Sequence, residues 1–155
     1  MKRTDVAIMF KMLNHHLKNK LNIKFIINNY PKDKLSNGYI NMNERVVYCN
    51  WPKLSRCNYN RTLHFLLHEI GHDLHREFIL KTVDEMVNKA DTTKMTNAIM
   101  ETHNIDQGVA VMSDDIKEIG KFVKNEWNYE HRERTATEIG LNFYSTTFLK
   151  GGIII

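Results

Sequence analysis

Residues 64–75 read HFLLHEIGHDLH. Inside this stretch, His68-Glu69-Ile70-Gly71-His72 matches the pattern HExxH. On a helix, positions i and i+4 lie on one face, so the imidazoles of His68 and His72 converge on a single ion. A neutral imidazole nitrogen is a good zinc ligand at about 2.0–2.1 Å. Glu69 falls on the neighbouring face, where its carboxylate is placed to take a proton from a water activated by that ion. A chance HExxH is expected in about 3 % of sequences with this content of His and Glu, so the motif outweighs coincidence. Gly71 inside the helix costs about 1 kcal/mol relative to Ala, which points to a packing or access requirement. His64 and His75 share the same helical face and read as a surface histidine stripe.

Working outward, Asn58 or Asn60 caps this helix, which is expected to run to about Phe78 with Leu63, Leu67, Ile70 and Leu74 as its apolar stripe. A second helical stretch covers about 79–90. A weaker one lies near 94–103, followed by a loop through Asp106-Gln107-Gly108. Asp115 with Glu118 resembles a capping box. From there to about Leu149 the pattern is helical, with a break near Asn128 or Gly140. Towards the N-terminus, Val6, Met9, Phe10, Leu13 and Leu17 recur at helical spacing and predict a helix over 4–21. Ile23–Asn28 is a short β-rich run. Tyr39–Asn41 and Val46–Trp51 read as two strands of a hairpin joined around Asn43-Glu44, and Pro52 closes the second. The order is N-terminal helix, small β-sheet, motif helix and long C-terminal helix. This is an α+β pattern in a single domain spanning residues 1–155.

Two histidines do not complete a catalytic zinc site, which commonly has three protein ligands and an open position. Residues 132–140 read RERTATEIG. With Glu133 on a long helix and the small Ala136 one turn later, that helix can approach the HExxH helix closely. Glu101 is the next candidate for the third ligand, followed by His103 and Glu138. The stretches LLHEIGHDLH and RERTATEIGLNFY together resemble the two motifs of the ImmA/IrrE-type metallopeptidases, a group of glutamate-type zincins. The resemblance implies a zincin-like fold and a cytoplasmic zinc protease carried by phages or mobile elements, with a DNA-binding regulator as its protein substrate. It also implies His68, His72 and Glu133 as metal ligands to Zn2+ and Glu69 as the general base. Thr137 departs from the family pattern, which has Asn or Asp there, and Thr135 stands where a second Glu is common. The long interval between the motifs implies that 78–113 is an inserted helical piece.

The resemblance implies hydrolysis of a peptide bond by a water that Glu69 deprotonates, with the proton passed to the leaving amine. Tyr129, His131 and Tyr144 are candidate oxyanion donors. If the strand Val46–Asn50 is a sheet edge, it can receive an extended substrate by β-addition. The charge divides unevenly. Residues 1–62 carry 12 Lys/Arg against 3 Asp/Glu, and residues 63–155 carry 10 against 15, giving +9 and −5 within the net +4. A basic half keeps open a second reading, a SprT-like protease acting on DNA-bound proteins, in which direct nucleic-acid binding adds to catalysis. A third reading is a non-catalytic zincin scaffold that grips a partner protein. Hydrophobic content of 42 % and charged content of 26 % exclude low-hydrophobicity disorder. Two cysteines exclude a disulfide framework. No apolar run approaches the roughly 18 residues of a membrane-spanning helix, so no membrane partner is expected.

Overall fold

Val6, Phe10 and Leu13 bury one stripe of helix α1 (Arg3–Asn14) against a small sheet. The helix is shorter than the 4–21 that its apolar spacing predicts. Asn14 is the reason: its side-chain amide donates to Leu21 O at 2.8 Å and accepts from Leu21 N–H at 2.9 Å. That two-way pairing replaces the helical ladder and turns the chain, while Leu17 and Leu21 remain in the core. The structure is a computed structural model and describes residues 1–27, 36–89 and 105–149, the side chains of 105–113 excepted.

Three strands follow: β1 (Asn22–Ile26), β2 (Gly38–Asn41) and β3 (Val46–Asn50). Their order is β1-β3-β2. β3 pairs parallel with β1, Asn22 opposite Val46, and antiparallel with β2, Gly38 opposite Cys49. The expected hairpin is therefore β2–β3. Its turn is held by Asn41, whose Oδ1 accepts the N–H groups of Asn43 and Glu44, each at 3.1 Å. The strand Val46–Asn50 is central, which corrects its reading as a sheet edge; β1 needs a parallel partner, and β3 carries it on the side away from the hairpin. The inner face of the sheet, with Val47 and Cys49 fully buried, packs into the cluster formed by α1 and by Phe65, Leu66, Leu67 and Ile70 of the motif helix.

A one-turn helix α2 (Trp51–Leu54) leads to α3 (Tyr59–Lys89). Asn58 caps α3, its Oδ1 accepting Arg61 N–H at 2.9 Å. The separate helices expected on either side of residue 78 are one continuous helix of 31 residues. No Gly or Pro lies between Arg76 and Lys89 to interrupt the ladder. Helix α4 (Ile105–Glu126) also differs from expectation, running through Asp106-Gln107-Gly108 where a loop was predicted and starting well before Asp115. A single interior glycine costs about 1 kcal/mol, too little to break a helix of this length. Of the two break points left open, Asn128 separates α4 from α5 (Tyr129–Phe148), and Gly140 lies inside α5.

The chain divides into two compact units, Met1–His75 with Glu133–Ile155, and Arg76–Arg132. The expected insertion 78–113 falls within the second, although 90–104 lie outside the described residues. In the second unit Phe78 meets Phe122 edge-on at 6.5 Å, and the Arg132 guanidinium covers Tyr129 and Trp127. Among the described residues, no helix is long and apolar enough to cross a membrane.

In the first unit, α3 and α5 touch backbone to backbone. A methyl added at Gly71 would stand 2.7 Å from the Ala136 carbonyl carbon, and one at Gly140 2.7 Å from the Leu67 carbonyl carbon. Ala136 is fully buried. The packing requirement implied by Gly71 is thus a helix crossing in which side chains on either partner would force the axes apart. Gly71→Ala should destabilise the protein by about 2 kcal/mol despite alanine's better helix propensity. Gly120→Ala, with nothing within 4 Å of the added carbon, should instead stabilise by roughly 0.5–1 kcal/mol. Paired thermal melts of the two variants check the opposite signs.

Candidate metal centre

Helix α3 sets His68 and His72 one turn apart, and α5 brings Glu133 to them. His68 Nε2 lies 2.8 Å from Glu133 Oε2, His72 Nε2 lies 3.1 Å from the same oxygen, and the two imidazole nitrogens are 3.1 Å apart. The three residues form a group able to hold a metal ion. Ligands bound at about 2.0–2.1 Å around a tetrahedral ion stand roughly 3.3–3.4 Å from one another. A small outward rotation of three side chains therefore admits an ion, and two imidazoles with one carboxylate are a fitting donor set for zinc. The side chains of His68 and Glu133 are 21 % and 35 % exposed, so the convergence point opens to solvent on one side, while that of His72 is 9 % exposed.

The opposite nitrogen of His68 is also engaged. His68 Nδ1 sits 2.8 Å from Thr137 Oγ1, and the Thr137 hydroxyl donates to the Glu133 carbonyl at 3.3 Å. The two imidazole rings meet edge to face at 4.6 Å.

Glu69 is buried beside this group, only 7 % exposed. Burial and then the nearby Glu133 carboxylate push its carboxyl up to about 8, against the N–H of Ile40, which donates to it and favours the charged form. A divalent cation among His68, His72 and Glu133 would act in the same direction as that N–H. The same burial pushes the Cys49 thiol on β3 up to about 12, with Glu69 adding to the effect.

One turn beyond Glu69, Asp73 is 1 % exposed and receives a two-pronged contact from Arg45, Nε at 3.1 Å and Nη2 at 2.6 Å. Arg45 also donates to Asn19 O at 2.8 Å and holds a left-handed backbone, φ 57°. The β2–β3 turn is thereby pinned to the helix that carries the motif.

Of the other sequence candidates, Glu138 is exposed and outside the cluster, and Glu101 and His103 lie outside the described residues. Tyr144 stacks on Phe148 against the core; eleven residues from Glu133 is about 16 Å along a helix, beyond reach of the convergence point. Tyr129 and His131 belong to the second unit, where His131 Nε2 lies 2.8 Å from Glu126. His64 is exposed, whereas His75 is fully buried, which corrects its reading as a surface residue. Position 75 is seven residues from 68 and lies on the packed side of the helix. The anchoring by Arg45 and Asp73 was missed, although an Asp directly after the motif's second His is a signal of it.

No protein-family model, curated protein or solved structure matches the chain.

Burial that pushes the Cys49 thiol up to about 12 keeps it protonated at pH 8, and the protonated form does not attack disulfides. In a disulfide-exchange assay at pH 8, native protein should therefore present one reacting thiol, the half-buried Cys57. Cys49 should react only after denaturation. Two thiols reacting at similar rates in the folded protein would contradict the burial of Cys49.

Proposed function

We propose that the chain is a zinc-dependent metallopeptidase of the zincin type, hydrolysing a peptide bond of a protein substrate. The observation that carries this reading is the meeting of His68 Nε2, His72 Nε2 and Glu133 Oε2 within 3.1 Å, with the Glu69 carboxyl buried beside them. When bound, zinc supplies Lewis-acid polarisation of a carbonyl and lowers the pKa of a water towards about 7. His68, His72 and Glu133 hold it. Glu69 takes the proton of the attacking water and returns it to the leaving amine. Its place beside the three residues suits this task, because a general base must lie within reach of the water it deprotonates. The resemblance of the two motifs to ImmA/IrrE-type peptidases favours a DNA-binding regulator as the substrate.

The sheet supports one route for substrate docking. Asn50 N–H donates to Asn37 O at 2.8 Å, so in the antiparallel alternation Gly38 and Ile40 turn their backbone groups outward, away from β3. Ser36 Oγ binds both the N–H and the carbonyl of Gly38. Ile40 gives its N–H to Glu69 and directs its carbonyl to the same outer side of β2. An extended substrate that displaced Ser36 from Gly38 and paired along β2 would therefore lie beside the general base.

Purified protein should take up about one zinc per chain. Glu69→Gln should retain the metal and lower cleavage of a proteome-derived peptide library by roughly 10²–10⁴-fold, read as new termini by mass spectrometry. His68→Ala should lose the metal. Wild-type protein that takes up no zinc overturns the reading, whereas zinc uptake without hydrolysis favours a binding scaffold.

A further inference from the structure

The side chain behind the first histidine is the one part of the ligand set that the mechanism above leaves unused. An imidazole that offers Nε2 to an ion carries its proton on Nδ1, and that N–H needs an acceptor to hold the ring plane in place. Among the described residues, His68 Nδ1 meets Thr137 Oγ1 at hydrogen-bond distance, 2.8 Å. A hydroxyl has one proton and two lone pairs. The Thr137 proton goes to the Glu133 carbonyl, 3.3 Å away and one helical turn back, which leaves a lone pair for the His68 N–H.

We propose that Thr137 is a positioning residue, whose hydroxyl accepts from His68 Nδ1 while its own proton goes to the Glu133 backbone carbonyl, so that the helix carrying Glu133 orients the first histidine of the other helix. The inference rests on the reading of His68, His72 and Glu133 as a zinc site. Its geometry is specific to the hydroxyl. The methyl of Thr137 contributes nothing to the relay, and the oxygen sits on the correct atom because α3 and α5 approach at Gly71 and Ala136. Thr137 itself is uncharged, so the ligand set keeps the single negative charge of Glu133.

The test compares Thr137→Val, which keeps the shape and removes the hydroxyl, with Thr137→Ser, which keeps the hydroxyl. Zinc affinity is measured by competition with a chromophoric chelator. The His68 Nδ1 proton is followed by NMR in the zinc-loaded protein. Thr137→Val should weaken zinc binding about 10–100-fold and make the Nδ1 proton exchange rapidly with solvent. Thr137→Ser should keep both properties near those of the wild type. Thr137→Ala serves as a second hydroxyl-free variant if the valine does not fold. A hydroxyl-free variant with unchanged affinity and a protected Nδ1 proton overturns this inference alone, as does a serine variant that behaves like the valine. A wild-type protein that takes up no zinc overturns the metal centre and this inference together.

Discussion

The backbone contact between α3 and α5 governs the rest of the first unit. A glutamate side chain is short, and it reaches two histidines on another helix only if the helices come closer than ordinary side chains permit. Gly71 and Ala136 provide that approach at one point, and Gly140 under Leu67 provides it one turn along. The three candidate metal residues surround the first of these points. His68 lies three residues before Gly71 and His72 directly after it, while Glu133 lies three residues before Ala136. One crossing thus sets the packing and the ligand distances together, so the space between the helices cannot be changed without changing the site.

The motif helix divides its work between two adjacent faces. His68 and His72, four residues apart, turn towards α5. Glu69 and Asp73, also four residues apart, turn towards the β2–β3 hairpin, where Ile40 N–H and the Arg45 guanidinium meet them. The acidic pair thereby fixes the sheet edge relative to the histidine pair. Breaking a buried ion pair by removing one partner costs about 3–5 kcal/mol, and the partial exposure of Arg45, 25 % at its side chain, lowers the figure here. The contact nonetheless holds Arg45 in a left-handed backbone that a non-glycine residue seldom adopts.

Much of this was legible in the residues. The HExxH spacing specifies which side chains share a helical face, and the Glu133–Ala136 interval marks the helix able to come close; both are local patterns. The α+β order was legible for the same reason. What was not legible depends on contacts between distant segments. The central position of β3 follows from a parallel partner that sequence order alone does not reveal. The early end of α1 follows from Asn14 meeting Leu21, where an unbroken apolar stripe continues to Leu17. The burial of His75 depends on which side of a continuous helix is covered. Thr137 read as a departure from a family pattern because its type was judged apart from its position; its oxygen nevertheless stands against His68 Nδ1.

The two halves of the first unit are separated in the chain by the whole of Arg76–Arg132. In polymer terms, bringing His68 and His72 to Glu133 closes a large loop, and the entropy of closing a loop grows only with the logarithm of its length. Each doubling adds about 0.6 kcal/mol. The helix crossing must meet that charge once, and it is nearly indifferent to how many residues lie between its two sides. The length of the interval between HExxH and Glu133 therefore weighs little on the entropy of closure, whereas a single methyl at Gly71 cannot be accommodated without displacing a helix.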